Sequence, residues 1–278
     1  MGEHIVLVYL VVCFFVFLAG FVDSIAGGGG LISLPAYMIA GLPVHTAIAT
    51  NKMSSFMGTS VSSFYYMKKG FMKWRICIPA VFGAIVGSWM GSHLALLISE
   101  SVLKIAMLIV LPIILFYVLR SNALKGNEEN TTDVIDGMLI FKCVIIAVVI
   151  GVYDGIYGPG TGTFLMLLFT GFCHMTLNDA AGTTKAINLT TNITALVVFL
   201  INGKVLLPLG IAAGVCNMAG NYLGSHSFTS NGHKIVKPVM IVVIVIMMMF
   251  MLMIVVIVVM MVFMFMIVVI VVMMVFMF

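Results

Sequence analysis

The sequence predicts an all-α, polytopic integral membrane protein, with about eight transmembrane helices in two internally repeated halves and glycine-broken short segments in each. Three observations predict it. First, 63% of the 278 residues are hydrophobic and only 8% are charged, with a mean hydropathy of +1.27. Soluble domains carry about 25% charged residues, so this chain has too little polar surface to face water on all sides. Second, its apolar residues come in long runs rather than in alternating ten-residue segments. A backbone in lipid must satisfy its own hydrogen bonds, and long runs do so as helices. Third, a series of motifs recurs in order along the chain, the mark of internal duplication.

The elements follow in order. Residues 5–22 form the first apolar run; Glu3 and His4 precede it, and no cleavage site precedes Asp23. It therefore reads as a membrane helix rather than a signal peptide. Candidate spans continue at 46–66, 76–98, 101–119, 138–153, 177–201, 205–225 and 235–255, roughly 20 residues being needed to cross about 30 Å. Lys68, Lys69, Lys73 and Arg75 cluster in one loop, which the positive-inside rule assigns to the cytoplasm. Two apolar stretches, 31–41 and 162–173, are about half a span long; they read as re-entrant segments or as the first parts of broken helices.

A hydrophilic linker at 120–136 separates a first half (1–119) from a second (137–238). Four spans in each half would place both ends on one side and make the repeats parallel. If 31–41 instead belongs to a longer crossing element, the repeats are inverted. The region 239–278 runs from the last span into tandem repeats, residues 253–265 and 266–278 being identical. A thirteen-residue period rotates by roughly 220° on a helix and builds no constant face, so this tract is read as tandem expansion without chemistry.

The internal matches carry most of the information. Gly87, Gly91, Ser92 and His93 fall on Gly220, Gly224, Ser225 and His226, and Thr50-Asn51-Lys52 falls on Thr183-Thr184-Lys185. Gly70 falls on Gly203, always 133 residues on. At an offset of 131, Asp23 falls on Asp154, Gly27 on Gly158 and Gly29 on Gly160.

These matched residues are also the candidate chemistry. Asp23 precedes Gly27, Gly28, Gly29 and Gly30; Asp154 precedes Gly158, Pro159 and Gly160. Glycine and proline break a helix, and broken backbone at membrane depth survives only where protein buries it or it lines a cavity. Free N–H groups in such a stretch can form an anion nest; the plainer role is tight helix packing. Lys52 and Lys185, each near the start of a long helix, would add an ammonium to the positive helix end, a combination suited to an anion. Snorkelling to the headgroups is their plainer role. Asp23 and Asp154 are expected to cap the following helices or to pair with the lysines, with proton coupling as the functional alternative. His93 and His226 are read as interface caps rather than a proton relay. Asn188 and its Thr neighbours make the second long helix polar on successive turns and able to line a pathway. Thr50, Asn51, Thr183, Thr184 and Asn188 would supply hydrogen bonds to a bound solute.

The five cysteines lie singly in or beside apolar runs and are read as packing residues. No metal motif, cofactor fingerprint, nucleophile–base constellation or nucleic-acid patch stands out, so no metal, cofactor, catalytic residue or nucleic-acid partner is expected. An enzyme is the weaker class.

LAGFVDSIAGGGGLISLPAY, followed by GLPVHTAIATNKMSSFMGTSVSSFYYMKKG, resembles the amino-terminal motif of the TauE/SafE (sulfite exporter, TSUP) family. GVYDGIYGPGTGTFL, then NDAAGTTKAINLTTNITALVVFLINGKV, resembles that family's repeated motif. The resemblance spans about residues 5–238. It implies a multi-pass protein of a bacterial-type cytoplasmic membrane that moves small sulfur-containing or organic anions, such as sulfite or sulfonates. The expected partners are therefore a small anionic substrate and the bilayer; ion coupling and a homodimer stay open. A secondary carrier with a midplane site is the expectation, and an anion channel or a non-transporting accessory protein are the alternatives.

Overall fold

The computed structural model describes residues 2–103 and 135–230, with Pro238, Val239 and Val242. Its helices are α1 (Gly2–Ala26), α2 (Gly30–Ile39), α3 (Val44–Lys68), α4 (Trp74–Leu97), α5 (Gly137–Ile156), α6 (Thr161–Gly171) and α7 (Leu177–Ile201), followed by α8 over residues 207–230. No strand occurs among the described residues. The expected spans at 101–119 and 235–255, the linker 120–136 and the tandem tract in 239–278 lie almost wholly outside the described residues.

Length and polarity assign the helices their places. α1, α4, α5 and α7 are long and apolar enough to cross a membrane. α2 and α6 have ten and eleven residues, about half the hydrocarbon thickness. Both start directly after a glycine-rich turn, as the half-length apolar stretches predicted. α3 has 25 residues, like α1, but turns Thr50, Asn51, Lys52, Ser54, Thr59, Ser62 and Ser63 inward, where they are buried. The outer faces carry Phe14, Phe82, Trp89, Phe141 and Val149, all more than half exposed. Such a surface fits lipid, where apolar side chains need no cover.

Local sequence sets the helix starts. Asp136 caps α5 by accepting the Leu139 N–H at 2.7 Å, and Thr176 caps α7 by accepting the Asp179 N–H at 3.1 Å. Pro43, extended at ψ 149°, precedes α3. These starts correct one expectation. Lys52 and Lys185 sit eight residues inside helices that begin at Val44 and Leu177, beyond the first turn with its unpaired N–H groups and positive dipole end.

Close contacts fix the helix directions. Gly83, Gly87 and Gly91 of α4 face the backbones of Val144, Val148 and Val152 of α5, so these two run the same way. Gly220 and Gly224 of α8 likewise face Phe17 and Phe21 of α1, the positions matched to Val148 and Val152. α8 also runs with α3: the Leu206 N–H just before it donates to Thr50 Oγ1 at 3.1 Å, Gly214 lies on Met57, and Tyr65 meets Thr229 at 3.2 Å. α4 runs with α7, through Cys77–Thr183 at 3.7 Å and Ser88–Thr191 at 2.8 Å. α3 and α7 oppose each other. Ser63 near the end of α3 donates to the Lys185 carbonyl near the start of α7, while Thr50 near the start of α3 meets Leu206, just past the end of α7.

α1, α3 and α8 therefore point one way, and α4, α5 and α7 the other. The helices paired by sequence (α1 with α5, α3 with α7, α4 with α8) run in opposite senses, against the parallel four-span arrangement and in line with the inverted alternative. Small residues allow the close approach at each crossing.

Candidate functional site

The site begins where two helices break. α1 ends at Ala26, and Gly27, at φ +73°, turns the chain toward α2. α5 ends at Ile156, and Gly158, at φ +94°, does the same before α6. Side chains rarely adopt that left-handed backbone. Gly27 has a second reason to lack one: a Cβ there would collide with the backbone of Gly162. The two breaks lie backbone on backbone, with the Thr163 N–H donating to the Gly27 carbonyl at 3.2 Å and the Thr163 hydroxyl to the Ala26 carbonyl at 2.9 Å.

Beside each break stands a buried ion pair, and each pair crosses from one half to the other. Lys52 Nζ donates to Asp154 Oδ2 at 2.7 Å, with side-chain exposures of 3% and 5%. Lys185 Nζ donates to Asp23 Oδ2 at 2.7 Å, with exposures of 2% and 19%, and also to the Asp23 carbonyl. Neither lysine snorkels. Each carboxylate is held by a second donor, the Thr161 hydroxyl on Asp154 Oδ1 at 2.7 Å and the Gly29 N–H on Asp23 Oδ1 at 3.3 Å. Two charges withdrawn from water persist only with such complete pairing, and removing one partner of a buried pair costs about 3–5 kcal/mol.

The aspartates thus pair with the lysines, one of their two expected structural roles. The other, capping, is corrected: the N-caps of α2 and α6 are Gly29 and Gly160, with no side-chain cap bond at either. The glycine N–H groups are also partly committed, Gly27 to the Asp23 carbonyl at 2.8 Å and Gly29 to the Asp23 carboxylate. Gly28 is buried, and Gly30 packs toward Pro159.

The remaining candidates divide. Thr50 is occupied by the Leu206 N–H, Asn51 Oδ1 by the Ser33 hydroxyl at 2.6 Å, and Thr183 by the Cys77 thiol. Thr184 Oγ1 and Asn188 Oδ1 are buried with no hydrogen-bond partner among the described residues. His93 and His226 lie exposed on the outside, His93 bonded to the Trp89 carbonyl at 2.8 Å. Sequence reasoning missed Ser33, Thr161 and Thr163. Thr161 carried a readable signal: it follows the Gly158-Pro159-Gly160 break directly, where a hydroxyl can turn back to the preceding carboxylate.

Opposed apolar helices, two short helices at glycine breaks, and two ion pairs with buried lysines between them define a multi-pass helical membrane protein. The profile of the family described as Sulfite exporter TauE/SafE matches residues 12–251. The chain is 34% identical over 228 residues to "Probable membrane transporter protein ORF9" of Sinorhizobium sp, covering 82% of this chain and 85% of that protein. It is also 34% identical over 238 residues to "Probable membrane transporter protein YfcA" of Escherichia coli (strain K12), covering 85% and 87%. A "Probable membrane transporter protein" of Haemophilus influenzae shares 29% identity over 226 residues, covering 81% and 87%. No solved structure matches the chain at a significant level. The chain belongs to the TauE/SafE family of membrane transporter proteins.

Proposed function

We propose that the chain is a secondary carrier for small anions, of the sulfite, sulfonate or related sulfur or organic class, with its site where the two halves meet. One observation carries this reading: two lysine–aspartate pairs, buried beside two glycine breaks, each join one half to the other. Intramembrane charges are costly and are retained where they serve a pathway. Matched helices running in opposite senses suit alternating access, in which one half rocks against the other around a central site. The relatives' names support transport in general; the anion is our assignment.

Charge balance shapes the mechanism. Each ammonium already faces one carboxylate, so an arriving anion must compete with Asp23 or Asp154, or bring a proton with it. Asp23, the more exposed of the two, is the carboxylate an entering solute reaches first. Asp154, held by Lys52 and Thr161, acts as the fixed pair about which the halves pivot.

The test is flux into proteoliposomes holding the purified full-length chain, with sulfite, alkylsulfonates, sulfate and small carboxylates offered in turn. Saturable uptake of at least one anion is expected. Unitary current steps would make the protein a channel, and absence of flux for every anion would make it an accessory protein.

A further inference from the structure

The duplication supplies an internal control for surface charge. The turn between α3 and α4 and the turn between α7 and α8 are copies of one another. Gly70 and the matched Gly203 have φ of +75° and +64°. The Phe71 N–H donates to the Tyr66 carbonyl at 3.1 Å, and the matched Lys204 N–H donates to the Phe199 carbonyl at 3.0 Å. The charges are not copied. Lys68, Lys69, Lys73 and Arg75, all exposed, fall on Ile201, Asn202, Leu206 and Pro208. The turn therefore folds without them. Among the described residues only Lys73 of the four meets a carboxylate, Asp179 at 3.7 Å, with exposures of 48% and 23%, and such a surface pair binds weakly. Lys68 Nζ folds back over the Phe64 ring at 4.5 Å, and Lys69 Nζ over the Tyr65 ring at 5.6 Å. Phe64 and Trp74 beside them are each 54% exposed. The turn itself is docked: the Phe71 ring lies 5.5 Å from Tyr66 and 6.2 Å from Phe228, and a Cβ on Gly182 would strike the Phe71 carbonyl. Cations held on a docked turn bind a ligand at little ordering cost.

We propose that the α3–α4 turn binds the phosphate of an anionic phospholipid, whose acyl chains lie along the exposed apolar surface beside it. Lys68, Lys69 and Arg75 face no carboxylate among the described residues, and basic clusters next to a membrane helix attract anionic headgroups. Exposed Phe64 and Trp74 at the rim of the cluster suit a ligand with one wet end and one apolar end. A soluble anion answers the charge and leaves those rings uncovered. The positive-inside rule explains the same cations as a signal read during insertion. A bound lipid is a property of the inserted protein, so it is measured after insertion.

The chain has two tryptophans, Trp74 at the turn and Trp89 farther along α4, 54% and 55% exposed. Trp89→Phe leaves a reporter at the turn, and Trp74→Phe leaves one away from it. Both full-length proteins are reconstituted in phosphatidylcholine with rising fractions of phosphatidylglycerol brominated near the headgroup end of its acyl chains, which quenches a tryptophan it touches. Trp74 should report a preference for phosphatidylglycerol of about five-fold or more, the contribution of one Lys or Arg near an anionic surface, and Trp89 should report none. Lys68→Gln/Lys69→Gln/Arg75→Gln on the Trp89→Phe background should abolish the preference, and Lys204→Gln should leave it intact. Salt at about 1 M, which screens charges beyond about 3 Å, should also abolish it, and gives the reading should the triple variant not insert. Excess glycerol 1-phosphate should leave the quenching unchanged. No greater preference at Trp74 than at Trp89, or a preference that survives the triple substitution or the salt, overturns the proposal and assigns the cations to insertion alone. Release of the quencher by glycerol 1-phosphate overturns it in favour of a soluble anion.

Discussion

Replacing Lys52 by methionine removes the ammonium that sits 2.7 Å from Asp154 while keeping most of the side-chain volume. Among the described residues, Asp154 then keeps only the Thr161 hydroxyl, at a position 4% exposed. An uncompensated buried charge of this kind costs about 3–5 kcal/mol. The partner substitution Asp154→Leu strands the ammonium and should cost a similar amount. The double variant Lys52→Met/Asp154→Leu has no stranded charge, and replacing a buried pair by apolar groups is often neutral or stabilising. The four proteins form a cycle whose coupling should reach several kcal/mol, well above the roughly 0.5 kcal/mol expected of independent sites. Denaturation of the purified proteins gives the free energies, and anion flux in vesicles gives the activity. The double variant should recover stability and not flux. A coupling below about 0.5 kcal/mol, or full flux in the double variant, would refute the pair as a buried functional contact.

Other outcomes follow from individual contacts. Gly27→Ala should lose about 1–2 kcal/mol to left-handed strain and about 1–3 kcal/mol more to collision with Gly162; Gly70→Ala, at a similar φ of +75° with nothing within 4 Å of a new Cβ, should lose only the first part, as paired thermal melts would read. Thr50→Val should cost about 1 kcal/mol by uncapping the start of α8, measured by the same denaturation; a loss as large as that of Lys52→Met would contradict this assignment. Gly87→Val and Gly220→Val, at matched positions, should both be strongly destabilising because each would drive a side chain into backbone, Val148 or Phe17, and an effect at only one of them in melting experiments would argue against equivalent packing. A chain ending at residue 255 should transport as the full chain does, since the family match ends at residue 251; unequal initial rates in vesicles would contradict this.

Most of the fold was readable because lipid leaves the backbone few choices: once composition excluded water, the long runs had to be helices. The half-length runs after Gly30 and Thr161 were readable for the same reason, since glycine and proline before them announce the breaks. The ion-pair residues were visible as matched Asp and Lys. Their partners were not, because Lys52 meets Asp154 across 102 residues and Lys185 meets Asp23 across 162, distances over which no local pattern speaks. The two helix starts were placed at residues 46 and 177, within two residues of Val44 and Leu177, but the lysines were assigned to the positive helix end, from which they stand eight residues. Direction was the largest gap. Whether matched helices run together or opposed depends on which surfaces pack, and only contacts such as Ser63 with the Lys185 carbonyl decide it. The unpartnered Thr184 was hidden likewise: it matches Asn51, which Ser33 bonds, and the residue that matches Ser33 in sequence is Phe164, which carries no hydroxyl.

Counterflow of labelled sulfite most directly tests a saturable site alternately open to the two sides. Vesicles holding the wild-type chain are loaded with excess unlabelled sulfite and diluted into a trace of label. Label should accumulate transiently above its equilibrium level, and the stable Lys52→Met/Asp154→Leu protein should show no such overshoot. Label that only relaxes to equilibrium in the wild type, at a rate proportional to concentration, would contradict a sulfite carrier with one shared site between the halves.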